Sequence, residues 1–366
     1  MGNGARWRVT CKVFRPVPLP IPDLDYLHQT LDTLLAIPSP VGRTQEATEW
    51  CRKTLCDWAP TEIHVSRKGV LSATFAGKKA DEPRGITAHL DTLGGLVKTI
   101  NPNGRFHLFQ LGNYSWNSIE NEAVRVFAQN GRCYCGSVIV ANASHHLHQG
   151  ENGNAEVPRN ENTIEVRLDA CANSAEEVAE LGIEIGDFVA FEPRTIWSEG
   201  YVRSRFLDDK ALVACLLAAL KAIYDSNTPF TQRTTVFLTN YEEQEHGGAS
   251  GWPADLSELL ALDVAPVGEG QQSKESRCTL CVADADGPYD VELGQKLRRL
   301  ARENDVELLP DVFPKYASDA GAARKAGLDA RFALIGPGVD ATHGIERTHI
   351  EALEATTKMI IAYLTC

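Results

Sequence analysis

The stretch Gly85-Ile86-Thr87-Ala88-His89-Leu90-Asp91 is a short apolar run that ends on an imidazole and a carboxylate two positions apart. In extended chain two such side chains project to the same side. An open α/β sheet holds its ligands just beyond strand ends of this kind. The pair suits a metal-bound imidazole whose other nitrogen is oriented by a carboxylate. By itself, a His and an Asp one residue apart is also a common chance pair.

The flanking sequence gives this strand a setting. Asp23 to Leu35 has helical periodicity, broken by Ser39-Pro40-Val41-Gly42, and Gln45 to Trp58 is a second amphipathic segment. Val70 to Phe75 alternates like a strand. Between about 93 and 203 the pattern changes to short strand-like runs (Phe106 to Leu111, Ala123 to Phe127, Ser137 to Ala141, Ile164 to Leu168, Asp187 to Phe191) set off by Gly, Asn and Pro. Helical character returns from Leu212. It is followed by strands at Thr234 to Thr239, Leu259 to Val264 and Arg331 to Ile335, with a helix around Val291 to Asn304. The parse is one α/β domain (21–92 and 204–366) interrupted by a β-rich insertion (93–203), after an N-terminal arm (1–20).

Composition narrows the function. The chain has 366 residues, 43% hydrophobic and 23% charged, which excludes a disordered or fibrous protein. Lys and Arg number 36 against 49 Asp and Glu, a net charge of −13. Nucleic acid and anionic membrane both call for a basic footprint, so neither is expected as a partner. The longest apolar stretch, Ala211 to Ala219, is too short to span a bilayer. The ten cysteines are scattered; Cys278 and Cys281 form a CxxC and Cys133 and Cys135 a CxC, without the second pair a zinc ribbon needs. Buried free thiols and a cytoplasmic location are the expectation.

Further acids and imidazoles stand at the ends of predicted elements. Asp208 and Asp209 precede the apolar helix beginning at Ala211, where carboxylates serve either as caps or as a bridge between cations. Glu242 and Glu243 follow the strand Thr234 to Thr239. Two adjacent glutamates point different ways, so one can bind metal while the other stays free as a general base; a solvated acidic turn is the alternative. Asp263 falls within an apolar run, and His343 lies in the loop Asp340-Ala341-Thr342-His343-Gly344. Together these residues form a ligand set suited to a pair of divalent ions such as zinc. His145-His146-x-His148 reads either as a separate metal site or as a loop, and Asp284 with Asp286 either as an extension of the cluster or as a turn.

The ordered set His89-x-Asp91, Asp208, Glu242-Glu243, Asp263, His343 resembles the dinuclear metallo-aminopeptidases of the TET and glutamyl aminopeptidase type, peptidase family M-forty-two. Ala88-His89-Leu90-Asp91-x-Leu93-Gly94, Leu207-Asp208-Asp209-Lys210, Gly248-Ala249, Leu262-Asp263-Val264, Ser318-Asp319-Ala320 and Thr342-His343-Gly344 match in local wording. Asp91 and Asp208 stand 117 positions apart, where related single-domain enzymes have a few tens of residues. The resemblance therefore implies a zinc-peptidase-like three-layer catalytic domain interrupted by a β-rich, PDZ-like dimerisation domain. Ala179-Glu180-Leu181-Gly182-Ile183-x-Ile185-Gly186-Asp187 resembles the end of that inserted domain. The stretch from Leu19 to Gly42 further resembles a bacterial branch linked to osmoprotectant N-acetylglutaminylglutamine amide gene clusters.

The roles implied are these. His89 and Asp263 would hold one metal, Glu243 and His343 the other, and Asp208 would bridge them. Asp91 would orient His89, Glu242 would be the general base, and Asp319 is a candidate for the substrate amine, with a helix cap as its alternative reading. Two divalent ions, zinc first with cobalt or manganese as alternatives, short peptides as substrates, and self-assembly from homodimer to homododecamer follow from the same resemblance. Lys210, Gln244-Glu245-His246 and Ala317-Ser318 depart from the family's usual wording and touch substrate preference. A dipeptidase or deacylase of the same chemistry, and a metal-free scaffold, are the competing expectations.

Overall fold

Asp23 caps the first helix by accepting the Tyr26 backbone N–H at 3.0 Å, and Leu27, Leu31, Leu34 and Leu35 bury one face of it. The computed structural model describes residues 19–148 and 156–366. Nearly all of the expected N-terminal arm (1–20) thus lies outside the described residues.

In chain order the elements are α1 (Leu24–Ala36), α2 (Gln45–Cys56), β1 (Glu62–Val65), β2 (Leu71–Phe75) and β3 (Gly77–His89). Then come β4 (Gly94–Ile100), β5 (Phe106–Leu111), β6 (Ala123–Phe127), β7 (Cys133–Val140), β8 (Ile164–Leu168), α3 (Ala175–Glu180) and β9 (Phe188–Phe191). The chain continues through β10 (Ile196–Ser198), β11 (Tyr201–Ser204), α4 (Leu207–Asp225), β12 (Phe230–Thr239), β13 (Glu258–Leu262) and β14 (Ala265–Val267). It closes with β15 (Cys278–Asp284), β16 (Gly287–Pro288), α5 (Val291–Glu303), β17 (Leu308–Phe313), α6 (Asp319–Lys325), β18 (Arg331–Asp340), β19 (Glu346–His349) and α7 (Ile350–Thr365).

The main sheet is mixed, with β12, β3, β13 and β18 side by side and parallel at its centre. Both faces are covered. On β13 and β18, Leu260, Leu262, Ala333 and Ile335 pack with residues of α1, α4, α5 and α7, while Leu259, Ala261, Phe332 and Leu334 pack with Ala320 and Ala323 of α6. Strands buried on both sides read as continuous apolar runs, which is how Leu259 to Val264 reads. Helix α4 is buried almost all round, from Leu207 to Ile223, between the sheet, α1 and α7. Each leucine so enclosed contributes about 1.5–3 kcal/mol relative to exposure.

The insertion is a closed antiparallel barrel in the order β4-β5-β8-β7-β6-β9. Val97, Phe106, Leu108, Val124, Val126, Val138, Val166 and Val189 are buried in it, and burial alternates with exposure most clearly along β6 and the first half of β7. The barrel's strands stop at Phe191. The hairpin β10–β11, which falls inside the expected 93–203 insertion, pairs through β11 with β19 and so extends the main sheet. Backbone hydrogen bonding, not the composition shift, decides where those residues belong.

Cys51, Cys215, Cys278 and Cys281 are buried free thiols as expected, but Cys56, Cys133, Cys135, Cys171 and Cys366 are exposed. The exposed ones on β7 point outward because the barrel alternates. Asp284 accepts the Asp286 N–H at 2.8 Å, the turn reading of that pair. Among the described residues no helix is long and apolar enough to cross a membrane.

Lys210, one of the departures from the family's wording, is an internal residue. Its buried amino group donates to the carbonyls of Leu34 (2.8 Å), which also accepts the Ile37 N–H, and of Ile37 (2.6 Å), just past the C-terminal end of α1. Lys210→Met keeps the apolar stem but strands the Ile37 carbonyl, and should cost about 1–3 kcal/mol of stability. The measurement is the urea midpoint; an unchanged midpoint would remove Lys210 from this capping role.

Candidate active site

The parallel centre of the sheet brings the candidate residues to one edge. His89 ends β3 and pairs in register with Thr239, the last residue of β12, so Asn240 to Glu243 follow beside it. Asp263 leaves β13 on the other side of β3, held against β18 where a Cβ on Gly336 would lie 1.7 Å from the Asp263 carbonyl oxygen. Only glycine permits that approach.

His89 is buried and its ring is aimed. Nδ1 donates to the Asp91 main-chain carbonyl at 2.9 Å, while the nearest Asp91 carboxylate oxygen is 3.7 Å away. A carbonyl only accepts, so Nε2 is left facing Asp208 Oδ1 at 3.0 Å and Glu242 Oε2 at 3.7 Å. The Asp91 carboxylate has other work: it accepts the backbone N–H groups of Glu242 and Glu243, both at 3.2 Å. It thus fixes the segment that carries both glutamates.

Asp208 lies at the centre. Its Oδ2 is 3.6 Å from His343 Nε2 and accepts from Thr342 Oγ1 at 3.1 Å. Its backbone N–H donates to Glu346 Oε2 at 3.1 Å, and Glu346 Oε1 accepts the His343 N–H at 3.1 Å. His343 Nε2 is also 3.6 Å from Glu243 Oε2. Asp209 turns back to accept the His89 backbone N–H at 2.9 Å.

Two groups have donor atoms all within 4.8 Å of one another: His89, Asp208, Asp209 and Asp263, and Asp208, Glu243 and His343. The charge pattern fits cations. Burial drives Asp209, Asp263 and Glu242 well above the usual carboxylate range, Asp91 to about 6, Glu243 to about 7 and Glu346 to about 8. Asp208 is the exception: burial pushes it up, but His343 and His89 together hold it below the usual range. Burial alone would lower both imidazoles, yet the surrounding carboxylates raise His89 well above its ordinary value and His343 to about 10. The buried oxygens Glu243 Oε1 and Asp209 Oδ1 have no hydrogen-bond partner. Nitrogen and carboxylate donors in this number, with unsatisfied buried oxygens, suit divalent metal.

A cavity of about 160 Å³ opens onto the cluster, lined by Asp208, Glu242, Glu243, Asp263 and His343 together with Asn113, Glu245, Lys315, Tyr316, Ala317 and Thr342. Asp319 does not line it. It is buried as the first residue of α6, where Ser318 is the cap, and its carboxylate accepts from the Thr239 hydroxyl. The triplet of histidines at 145, 146 and 148 is elsewhere, on an exposed loop of the insertion, and joins neither group. Sequence reasoning missed Glu346, Thr342 and Asn113. Thr342 sits in the quoted Thr-His-Gly wording; Glu346 is three residues past His343, a spacing without a motif; Asn113 carried no signal at all.

The chain is similar to known proteins in both sequence and fold. The sequence profile described as M42 glutamyl aminopeptidase matches residues 69–359. YhfE of Bacillus subtilis (strain 168), which carries an aminopeptidase name, is 38% identical over 337 residues, covering 92% of this chain and 96% of its own. The glutamyl aminopeptidase of Lactococcus lactis subsp. cremoris (strain MG1363) is 25% identical over 272 residues, covering 70% of this chain and 73% of its own. The fold matches the TET aminopeptidase of the marine sediment archaeon Thaumarchaeota archaeon SCGC AB-539-E09 with a TM-score of 0.82 at 17% identity, over 93% of this chain and 96% of that one. It also matches the Pyrococcus horikoshii TET1 peptidase, which can assemble into a tetrahedron or a large octahedral shell, with a TM-score of 0.79 at 21% identity, over 92% and 99%. The strand-end cluster thus sits in a chain that belongs to the M42 glutamyl aminopeptidase family, and the protein is a peptidase.

Proposed function

We propose that this protein is a metal-dependent aminopeptidase that releases N-terminal residues from short peptides. The observation that carries the reading is the meeting of two ligand groups on one carboxylate, Asp208, with Glu242 on the cavity wall beside them. His89 and Asp263 would hold one divalent ion, Glu243 and His343 the other, and Asp208 both. Zinc suits these donors best, with cobalt or manganese as alternatives. Bound there, the ions supply Lewis acidity toward the scissile carbonyl and the attacking water.

The chain's own residues do the proton handling and the positioning. Glu242 takes a proton from the attacking water and returns it to the leaving amine. Burial, reinforced by Asp263 and Asp319 and opposed by His89, raises its proton affinity above that of an ordinary glutamate, as this task requires. Asp91 holds Glu242 and Glu243 by their backbone and the His89 ring through its carbonyl. Asp209 braces His89, and Glu346 with Thr342 braces Asp208 and His343. The acidic lining, including Glu245, favours a free ammonium group over a blocked one. Asp319 supports from behind, through Thr239. Free thiols fit a cytoplasmic setting. Self-association, from a homodimer up to the dodecamer described for a TET1 neighbour, would cover apolar residues of the insertion such as Phe109 of β5 and Ile185 before β9, both exposed.

Three measurements test this. Glu242→Gln should retain metal while kcat falls by at least about a hundredfold; near-normal turnover would remove Glu242 as the base. Glu243→Ala should lower metal content on one side of the pair and Asp208→Ala on both, read by elemental analysis after dialysis; an equal loss in the two variants would contradict a shared Asp208. A free peptide should be cleaved and its N-acetylated twin left intact, whereas equal cleavage would favour a deacylase or dipeptidase.

A further inference from the structure

The Glu243–His343 side of the site is not built by the main sheet alone. Gly112 and Asn113 follow barrel strand β5, and Gly112 (φ +77°) passes so close that a Cβ there would lie 2.3 Å from Leu93 Cδ2 and 3.4 Å from Glu243 Oε2. The Asn113 carbonyl accepts the Nδ1 hydrogen of His343. That bond leaves Nε2 directed at Asp208 and Glu243. Ser118 Oγ reaches the His343 carbonyl at 3.5 Å.

The His343 loop needs outside support. Ala341 and His343 both have positive φ, 57° and 62°, a region that non-glycine residues occupy only when surrounding contacts hold them there. The contacts converge on Arg205, which is 1% exposed. Its guanidinium donates to the Ser118 carbonyl and to Glu122 Oε1 (3.0 Å) in the insertion, and to the Gly344 carbonyl (3.4 Å) beside His343. Glu122, 2% exposed, also pairs with the outer Arg194 at 2.7 Å. A buried ion pair is poor value for stability, since desolvation consumes most of its Coulombic gain. Its placement between the insertion and a ligand loop is better explained by positioning.

We infer that the inserted barrel positions His343: the Arg205–Glu122 pair clamps the segment from Gly112 to Ser118 onto the His343 loop and so sets metal affinity on the Glu243–His343 side. This rests on the dinuclear reading above. The His89–Asp263 side takes those two ligands from β3 and the end of β13, away from the clamp, and shares with the other side only Asp208.

The test is zinc affinity of the full chain by competition with a chromophoric chelator, using Glu122→Gln and Arg205→Lys. Lysine keeps the charge of Arg205 but not the planar fork that reaches all three acceptors. Wild type should show two classes of zinc site, and Glu243→Ala identifies which belongs to Glu243 and His343. Each clamp variant should weaken that class by at least about tenfold, the usual scale for losing a group that orients a ligand, with the other class within about twofold. Arg194→Ala, which removes only the 60% exposed partner, should leave both classes within about twofold. Clamp variants with wild-type affinities, or with both classes weakened equally, would overturn the inference. Fewer than two classes in wild type would overturn the dinuclear reading itself, and the inference with it.

Discussion

Asp208 is buried 3.0 Å from one imidazole and 3.6 Å from another, and much of the catalytic half of the molecule serves to keep it there as an anion. A carboxylate removed from water must be paired or it takes up a proton. Its neighbours Asp209, Asp263, Glu242 and Glu243 compete for the same positive charge, which is why they are pushed toward their neutral forms while Asp208 is not. Such crowding is unfavourable for a fold with nothing to bind. It becomes useful when divalent ions take the place of protons, and metal binding then displaces those protons as it forms the site.

The two sides of the cluster are built differently. One hangs on β3 and β13, parallel strands at the buried centre of a sheet covered by helices, where backbone ladders hold positions closely. The other comes from a 3-10 turn at Glu242–Gln244, a loop with left-handed residues at 341 and 343, and a turn of the insertion. Lys68 ties that region further by donating to the carbonyls of His246 and Gly247, the latter at 2.9 Å. One side thus rests on the sheet's backbone ladder and the other on side-chain and loop contacts, some of which come from the insertion.

Several charged residues are internal supports. Lys210 closes the end of α1, Glu346 receives the backbone of Asp208 and His343, and Arg205 joins the insertion to the ligand loop. Each is buried and hydrogen-bonded to backbone or side-chain groups of a distant segment.

The alternation and periodicity of the chain sufficed for α1, α2, β2, β5, β6 and β8, and for the β-rich character of the insertion, because burial on one face imprints a period of two or 3.6 residues. The ordered acids and imidazoles also named the candidate ligands, since strand ends and helix starts are where such residues are affordable. Other features have no local signature. That β10 and β11 join the main sheet, that the insertion closes into a barrel, and that Asn113 and Arg205 reach His343 depend on contacts between residues 87 to 230 positions apart. A backbone carbonyl such as that of Asn113 is the same group in every residue, so its role cannot be read from its side chain. The candidate ligands are therefore legible in the sequence; which atoms aim them is decided only where distant segments meet.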